Sequence, residues 1–428
     1  MNPGRASLVI MRICWGMWGI FAAWNSADAG SGAAADSLYK TGVQLYVEGQ
    51  YAKAISVLEQ ARADTLTPSI AFYIGAASAA LNDFKYARQY LQRAVDMAPD
   101  NISYRFQFAR FLSQAGLLRE AEKQYAGVVE RDSSFAPALA NLGLIAADRK
   151  DYERSIAFFL RVVRENPRDY AAYYNLGGGL TNLGRVDSAR EYLSTCLTLN
   201  PDYVPALSLL ATLYYRNSEY HDALRLLARL QALRPDNADF VYREGLCFEK
   251  IGNSPAAVSQ FLRATVLDSV NEFYFAHLGQ AYFRVQQYDS CVIAYQKAAA
   301  IDNENPLFYL NIALAWQKLD STQRAADAFR NSIVAYHPEA IASVYRQLGA
   351  LYYNGKRYRD ARNAYRKALE WNTNDKDAMF YLAVCQDKLR NSKAAVEKYK
   401  EFLKVTKEVP ELAEQIAWAK KRLLELKK

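Results

Sequence analysis

Histidine is nearly absent from this 428-residue chain: it occurs three times, as His221, His277 and His337, each in a different segment. No HExxH, no GxSxG elbow and no GxxxxGK phosphate loop is present, so the local patterns of zinc hydrolysis, serine catalysis and nucleotide binding are excluded. Cysteine is also sparse. Besides Cys14 there are Cys196, Cys247, Cys291 and Cys385, with no CxxC among them; neither a metal knuckle nor a dithiol redox pair is encoded, and four buried free thiols are expected. An excess of one charge is missing too. Lys and Arg number 53 against 45 Asp and Glu, and of the net +8 a surplus of 11 over 6 sits in Arg390–Lys428, leaving the rest nearly balanced. A nucleic-acid groove would interleave basic and aromatic residues, whereas a Lys-rich end reads as a solvated face. The apolar run Ile13 to Trp24 is short for a membrane span.

What the chain does have is apolar material, 51% hydrophobic and 13% aromatic with 31 Tyr, arranged with a period. The stretch Tyr173 to Pro201 recurs in degenerate form. Its small residue Gly177 has equivalents at Gly42, Gly75, Ala109, Gly143, Ala211, Gly245, Gly279, Ala313, Gly349 and Ala383, with eight of ten intervals equal to 34. Twelve places after every one of these anchors stands a second small residue, from Ala54 to Ala395, and sixteen places after stands a large one, from Leu58 to Tyr399. Small residues are needed where two helix backbones approach and large ones where the gap is filled. Each unit therefore reads as an antiparallel helix pair, and a fixed period of this length marks a solenoid.

The pattern W/Y-x-x-L-G-x-x-Y, A-x-x-x-F-x-x-A, P, followed here by Tyr173, Leu176, Gly177, Ala189, Leu193 and Pro201 with Leu and Cys replacing some of its aromatic and small places, resembles the tetratricopeptide repeat. The resemblance implies an all-α fold, a right-handed α-solenoid of about eleven helix-turn-helix repeats over 36–408, closed by a C-terminal capping helix over 409–428. In that helix Leu412, Ile416, Ala419 and Leu423 form one apolar stripe.

Residues 1–29 stand apart. Arg12, the apolar run and the small-x-small Ala27-Asp28-Ala29 match a signal peptide, followed by a Gly/Ala/Ser linker over 30–35. This predicts an exported protein, periplasmic or envelope-associated. The alternative is a retained amino-terminal anchor, the only route offered to membrane contact. Prolines fall at unit ends or helix starts, with Pro68 and Pro338 in connections between units, and the two-residue insertion near His337-Pro338-Glu339 is expected to lengthen one connection. Gly177-Gly178-Gly179 puts two extra glycines in a helix, marking either local softness or a close backbone approach.

No segment is left over for a catalytic domain, and no cofactor, metal or small-molecule substrate is implied; a protein or peptide partner is. In tetratricopeptide proteins the first helices line the concave groove. By that resemblance the places two before the anchor, Gln107, Asn141, Asn175, Arg243, His277, Asn311 and Gln347, form an interrupted polar line similar to the asparagine ladder of O-linked N-acetylglucosamine transferase repeats. Amides of this kind can bond an extended backbone or simply satisfy a solvated groove. The aromatics three before an anchor, among them Tyr174 and Tyr242, either grip a partner or wedge between helices. The Lys and Asn pair of the chaperone carboxylate clamp is absent. The sequence thus points to an interaction scaffold, or to an accessory subunit of an envelope polysaccharide-export or outer-membrane assembly machine.

Overall fold

The computed structural model describes residues 33–63, 65–335, 338–406 and 410–426; the expected signal peptide and the first half of the linker lie outside them. Helix begins at Ala33, inside the stretch expected to be linker. Among the described residues all regular structure is helical.

One compact unit runs to Leu213. It holds the hairpins α1 (Ala33–Val47) with α2 (Tyr51–Arg62), α3 (Pro68–Ala80) with α4 (Phe84–Met97), α5 (Ile102–Gln114) with α6 (Leu118–Arg131), α7 (Ala136–Asp148) with α8 (Tyr152–Glu165), and α9 (Tyr170–Asn182) with α10 (Val186–Leu199), then α11 (Val204–Arg216), within which the boundary falls. The second unit continues with α12 (Tyr220–Leu233). Its hairpins are α13 (Ala238–Ile251) with α14 (Ser254–Leu267), α15 (Glu272–Arg284) with α16 (Tyr288–Ile301), α17 (Pro306–Lys318) with α18 (Thr322–Ala335), α19 (Pro338–Asn354) with α20 (Tyr358–Trp371), and α21 (Lys376–Lys388) with α22 (Ser392–Val405). A 3-10 turn, Pro410–Leu412, leads into α23 (Ala413–Leu426).

The anchors explain the hairpins. A β-carbon on Gly42, Gly177 or Gly245 would lie 2.5 Å from the residue sixteen places on, Leu58, Leu193 or Phe261. The first helix approaches the second so closely that only a hydrogen or a methyl fits, and the large residue of the second helix fills the space beside it. Where the anchor is Ala, as at Ala109, Ala313 and Ala383, it is fully buried, and so are Tyr125, Phe329 and Tyr399 opposite. Burying each such side chain stabilises the stack by about 1.5–3 kcal/mol. Each hairpin turns through one left-handed residue seven places after the anchor: Gly at 49, 116, 184 and 252, and Asn82, Lys150, Ser218, Gln286, Asp320, Lys356 and Arg390 at the rest. In the Asn354-Gly355 turn it is therefore Lys356, not the glycine, that takes the positive φ.

Four second helices, α4, α8, α14 and α22, are started by side-chain caps, such as Asp83 accepting from the Tyr86 amide at 3.0 Å and Asn253 from Ala256 at 3.2 Å. Two expectations about proline are corrected. Pro68 opens α3 itself, and Pro338 opens α19, which is 17 residues long where other first helices have 13 to 15. The insertion becomes extra helix rather than loop, because proline's fixed φ suits the first helical position; His337 lies outside the described residues.

α23 takes the place of a further first helix. Ala417 follows Ala383 by 34 residues, Ala419 and Leu423 are buried, and the Trp418 ring sits 5.7 Å from Phe380 and 5.6 Å from Tyr399. Leu412 and Ile416 pack against the same cluster.

Candidate partner-binding face

In the first unit Asn141 and Asn175 donate their carboxamide N–H to carbonyls four residues back, Pro137 at 2.7 Å and Ala171 at 2.8 Å; in the second, Asn311 does the same to Leu307 at 2.8 Å. Each amide is thereby laid along its own helix with its rotamer fixed. One N–H is committed, and a second N–H and the carbonyl oxygen remain. Gln107 accepts from Arg110 at 3.2 Å on the same helix, and Gln347 is half-buried on α19.

The aromatics three before the anchors all have ring partners. Tyr174 meets Tyr203 edge-on at 5.4 Å, and Phe72 stacks on Tyr104 at 4.8 Å. Tyr242 is wedged among Tyr274 at 4.7 Å, Phe261 at 5.7 Å and His277 at 5.3 Å. Burial pushes the Tyr174 and Tyr242 phenols upward, with Cys196 adding to the first and Tyr215 to the second. These rings bind repeat to repeat.

Around Tyr242 the structure assembles a cluster from two consecutive repeats. His277 Nδ1 is 3.8 Å from Glu249 Oε2, too far for a hydrogen bond, and is buried without a hydrogen-bond partner. Arg284 reaches Glu249 Oε1 at 2.9 Å. The His277 ring, and with it Arg284, holds the Glu249 carboxyl below its ordinary range against the opposing effect of burial. Arg243, with Asp239 at 3.8 Å, is pushed down by burial. Glu249 and Arg284 stand four and five places after their anchors, Gly245 and Gly279. Glu244 was not singled out: it is buried in the place that Leu176, Leu210 and Leu278 fill in other repeats, and burial raises its pKa while Gln231 and Arg263 oppose.

The four thiols beyond Cys14 are free and fully buried, as expected, and burial pushes Cys196, Cys291 and Cys385 up to about 12 and Cys247 to about 11. Among the described residues no group of three His, Cys, Asp or Glu side chains is placed to hold a metal, and no helix is long and apolar enough to cross a membrane.

Two family models, each described as tetratricopeptide repeat, match residues 39–102, 106–169, 208–271 and 345–411, and residues 170–203 and 274–305. The chain is similar to Protein O-mannosyl-transferase TMTC3 of Homo sapiens, 22% identical over 57% of this chain and 28% of that protein. It is similar to TPR repeat-containing protein YpiA of Bacillus subtilis, 21% identical over 45% and 46%, and to Cellulose synthase 2 operon protein C of Komagataeibacter xylinus, 26% identical over 63% and 21%. The chain spans less than half the length of each of these. Among solved structures, a tetratricopeptide repeat protein from Parabacteroides merdae is 17% identical with TM-score 0.41, covering 59% of this chain and 98% of that one; yeast Tom70 is 15% identical with TM-score 0.35, covering 92% and 96%.

Proposed function

The chain belongs to the tetratricopeptide repeat family, and on that footing we propose that it is a non-enzymatic interaction scaffold of the cell envelope, holding an extended or helical segment of another protein against its first helices. The observation that carries this reading is the carboxamide pair Asn141 and Asn175 in the first unit, repeated at Asn311 in the second, each pinned by its own helix and each keeping a donor and an acceptor in hand. Such groups bond a partner's backbone with little rotamer entropy left to lose. The envelope assignment rests on the sequence of residues 1–29.

A second reading, an accessory subunit of an envelope polysaccharide-export or outer-membrane assembly machine, is favoured by the similarity to Cellulose synthase 2 operon protein C. Partner capture from an envelope extract separates the two, a polypeptide being recovered under the first and a glycan or its export machinery under the second. The first requires that Asn141→Ala with Asn175→Ala weaken the captured partner while stability stays within about 1 kcal/mol, as for solvent-facing substitutions; unchanged affinity discards the amide row. Export is tested by the mature amino terminus, which should begin at Gly30.

A further inference from the structure

The last turn of the first helices carries a charge pattern that differs between the two units. Five places after each anchor the unit ending at Leu213 has Val47, Ala80, Gln114, Asp148 and Asn182. From Tyr214 onward the same place, continued into α23, holds Arg216, Lys250, Arg284, Lys318, Lys388 and Arg422, interrupted only by Asn354. Cations at helix C-termini complement the macrodipole, but the first unit builds the same helix ends without one. Helix stability therefore does not account for the row.

The ion pairs of this row point its positive side outward. Glu249 and Asp387, which hold Arg284 and Arg422, are 11% and 10% exposed, whereas the two guanidinium side chains are 46% and 36% exposed. Arg216, Lys250, Lys318 and Lys388 are exposed, and no ion pair within 4.0 Å holds them among the described residues. The polar places two before the anchors run on the same helices, through His277, Asn311 and Gln347, interrupted by Tyr381, to Gln415, whose Oε1 is buried without a hydrogen-bond partner.

We infer that the first helices of the second unit bind an extended acidic polypeptide segment, its carboxylates on the basic row and its backbone on the amide row. This names the partner chemistry of the face proposed above and rests on that reading. Packed helices lie about 8–10 Å apart, and a polyproline-like strand rises about 3.1 Å per residue with three residues per turn. The segment should thus carry an acid at about every third position, one per rung. A single-stranded nucleic acid fits less well, because it asks for open aromatic faces and the rings here are spent on one another, as Tyr353 on Tyr381 at 5.5 Å and Phe380 on Trp418 at 5.7 Å.

The test titrates full-length protein with a fluorescent peptide of repeating Glu-Ser-Pro, its Gln-for-Glu counterpart, a scrambled Glu peptide of equal composition, and an oligothymidylate of matching charge. The Glu peptide should bind tightest, weaken as salt rises from about 50 to about 200 mM, and lose at least about tenfold in affinity to Lys250→Glu, Lys318→Glu and Lys388→Glu combined, with an unchanged melting temperature. Equal binding of the Gln peptide overturns the charge inference while leaving the first-helix reading intact, and equal binding of the scrambled peptide overturns the rung spacing. Tighter oligothymidylate binding overturns the choice of polypeptide. Failure of every peptide contradicts this inference and the reading beneath it together.

Discussion

Arg422 on α23 donates to both carboxylate oxygens of Asp387 on α21, Nε to Oδ2 at 2.7 Å and Nη2 to Oδ1 at 3.0 Å. Arg284 and Glu249 are joined in the same register, an acid four places after one anchor meeting a base five places after the next. α23 is therefore docked by the step that docks α15 beside α13, with Trp418 against Phe380 and Tyr399 as its apolar half. Trp418→Ala should cost about 1–2 kcal/mol, less than a fully buried tryptophan, and Arg422→Gln should lower the melting temperature as well. Dye binding should rise in both as Phe380 and Tyr399 open to solvent.

The triple glycine separates into three roles. Gly177 faces Leu193 Cγ at 2.5 Å and the Ala189 carbonyl at 3.3 Å, Gly179 faces Ile156 at 3.0 Å, and Gly178 has nothing within 4 Å of its would-be β-carbon. Gly178→Ala should stabilise the protein by about 1 kcal/mol through helix propensity, while Gly177→Ala should destabilise it by displacing Leu193. Urea unfolding of the two variants checks the sign of each.

Two carboxylates should give opposite pH signatures. Glu244 has its folded pKa raised above 4.5 by burial, so its protonated form is the one favoured in the folded state, and stability is lost as pH rises from 4.5 through the folded value. Glu244→Leu should therefore gain about 1–2 kcal/mol at pH 7, with the gain shrinking as pH falls through that window. Glu249 is depressed below 4.5 by His277 and Arg284, so its contribution is present above 4.5 and lost as pH falls through the lower folded value. Glu249→Gln should be destabilising at pH 7 and neutral in acid. Unfolding midpoints at both ends of the range decide each case.

The thiols should be silent in the native state. With Cys196, Cys291 and Cys385 fully buried and pushed up to about 12, almost no thiolate exists at pH 8 and no reagent reaches it. Disulfide-exchange reagents should modify these residues at the rate of unfolding, all together; a fast-reacting native thiol would contradict the packing around it.

The repeat was legible because its determinants are steric and local: an anchor such as Gly245 can be small for one reason, and Phe261 sixteen places on supplies that reason. Features written as exceptions to the pattern were harder to read. Glu244 sits in a leucine place, and α23 resembles a cap until Ala417 is aligned with Ala383. The candidate residues were legible as places on first helices but not as chemistry. Asn141 and Asn175 occupy their expected places, yet their bonds to Pro137 and Ala171 depend on rotamers that a one-dimensional pattern does not hold. Whether Tyr242 grips a partner or a neighbour depended on Tyr274, Phe261 and His277 meeting it, contacts between repeats that periodicity alone leaves open.

The first helices are the proposed working surface, and a photoreactive side chain placed there reads this most directly. Asn311 on α17 and the 59% exposed Ile293 on α16 stand on a first and a second helix of the same unit. With the partner bound, a crosslinker at Asn311 should capture it and one at Ile293 should not. Capture from Ile293 with none from Asn311 would contradict the assignment of partner binding to the first-helix face.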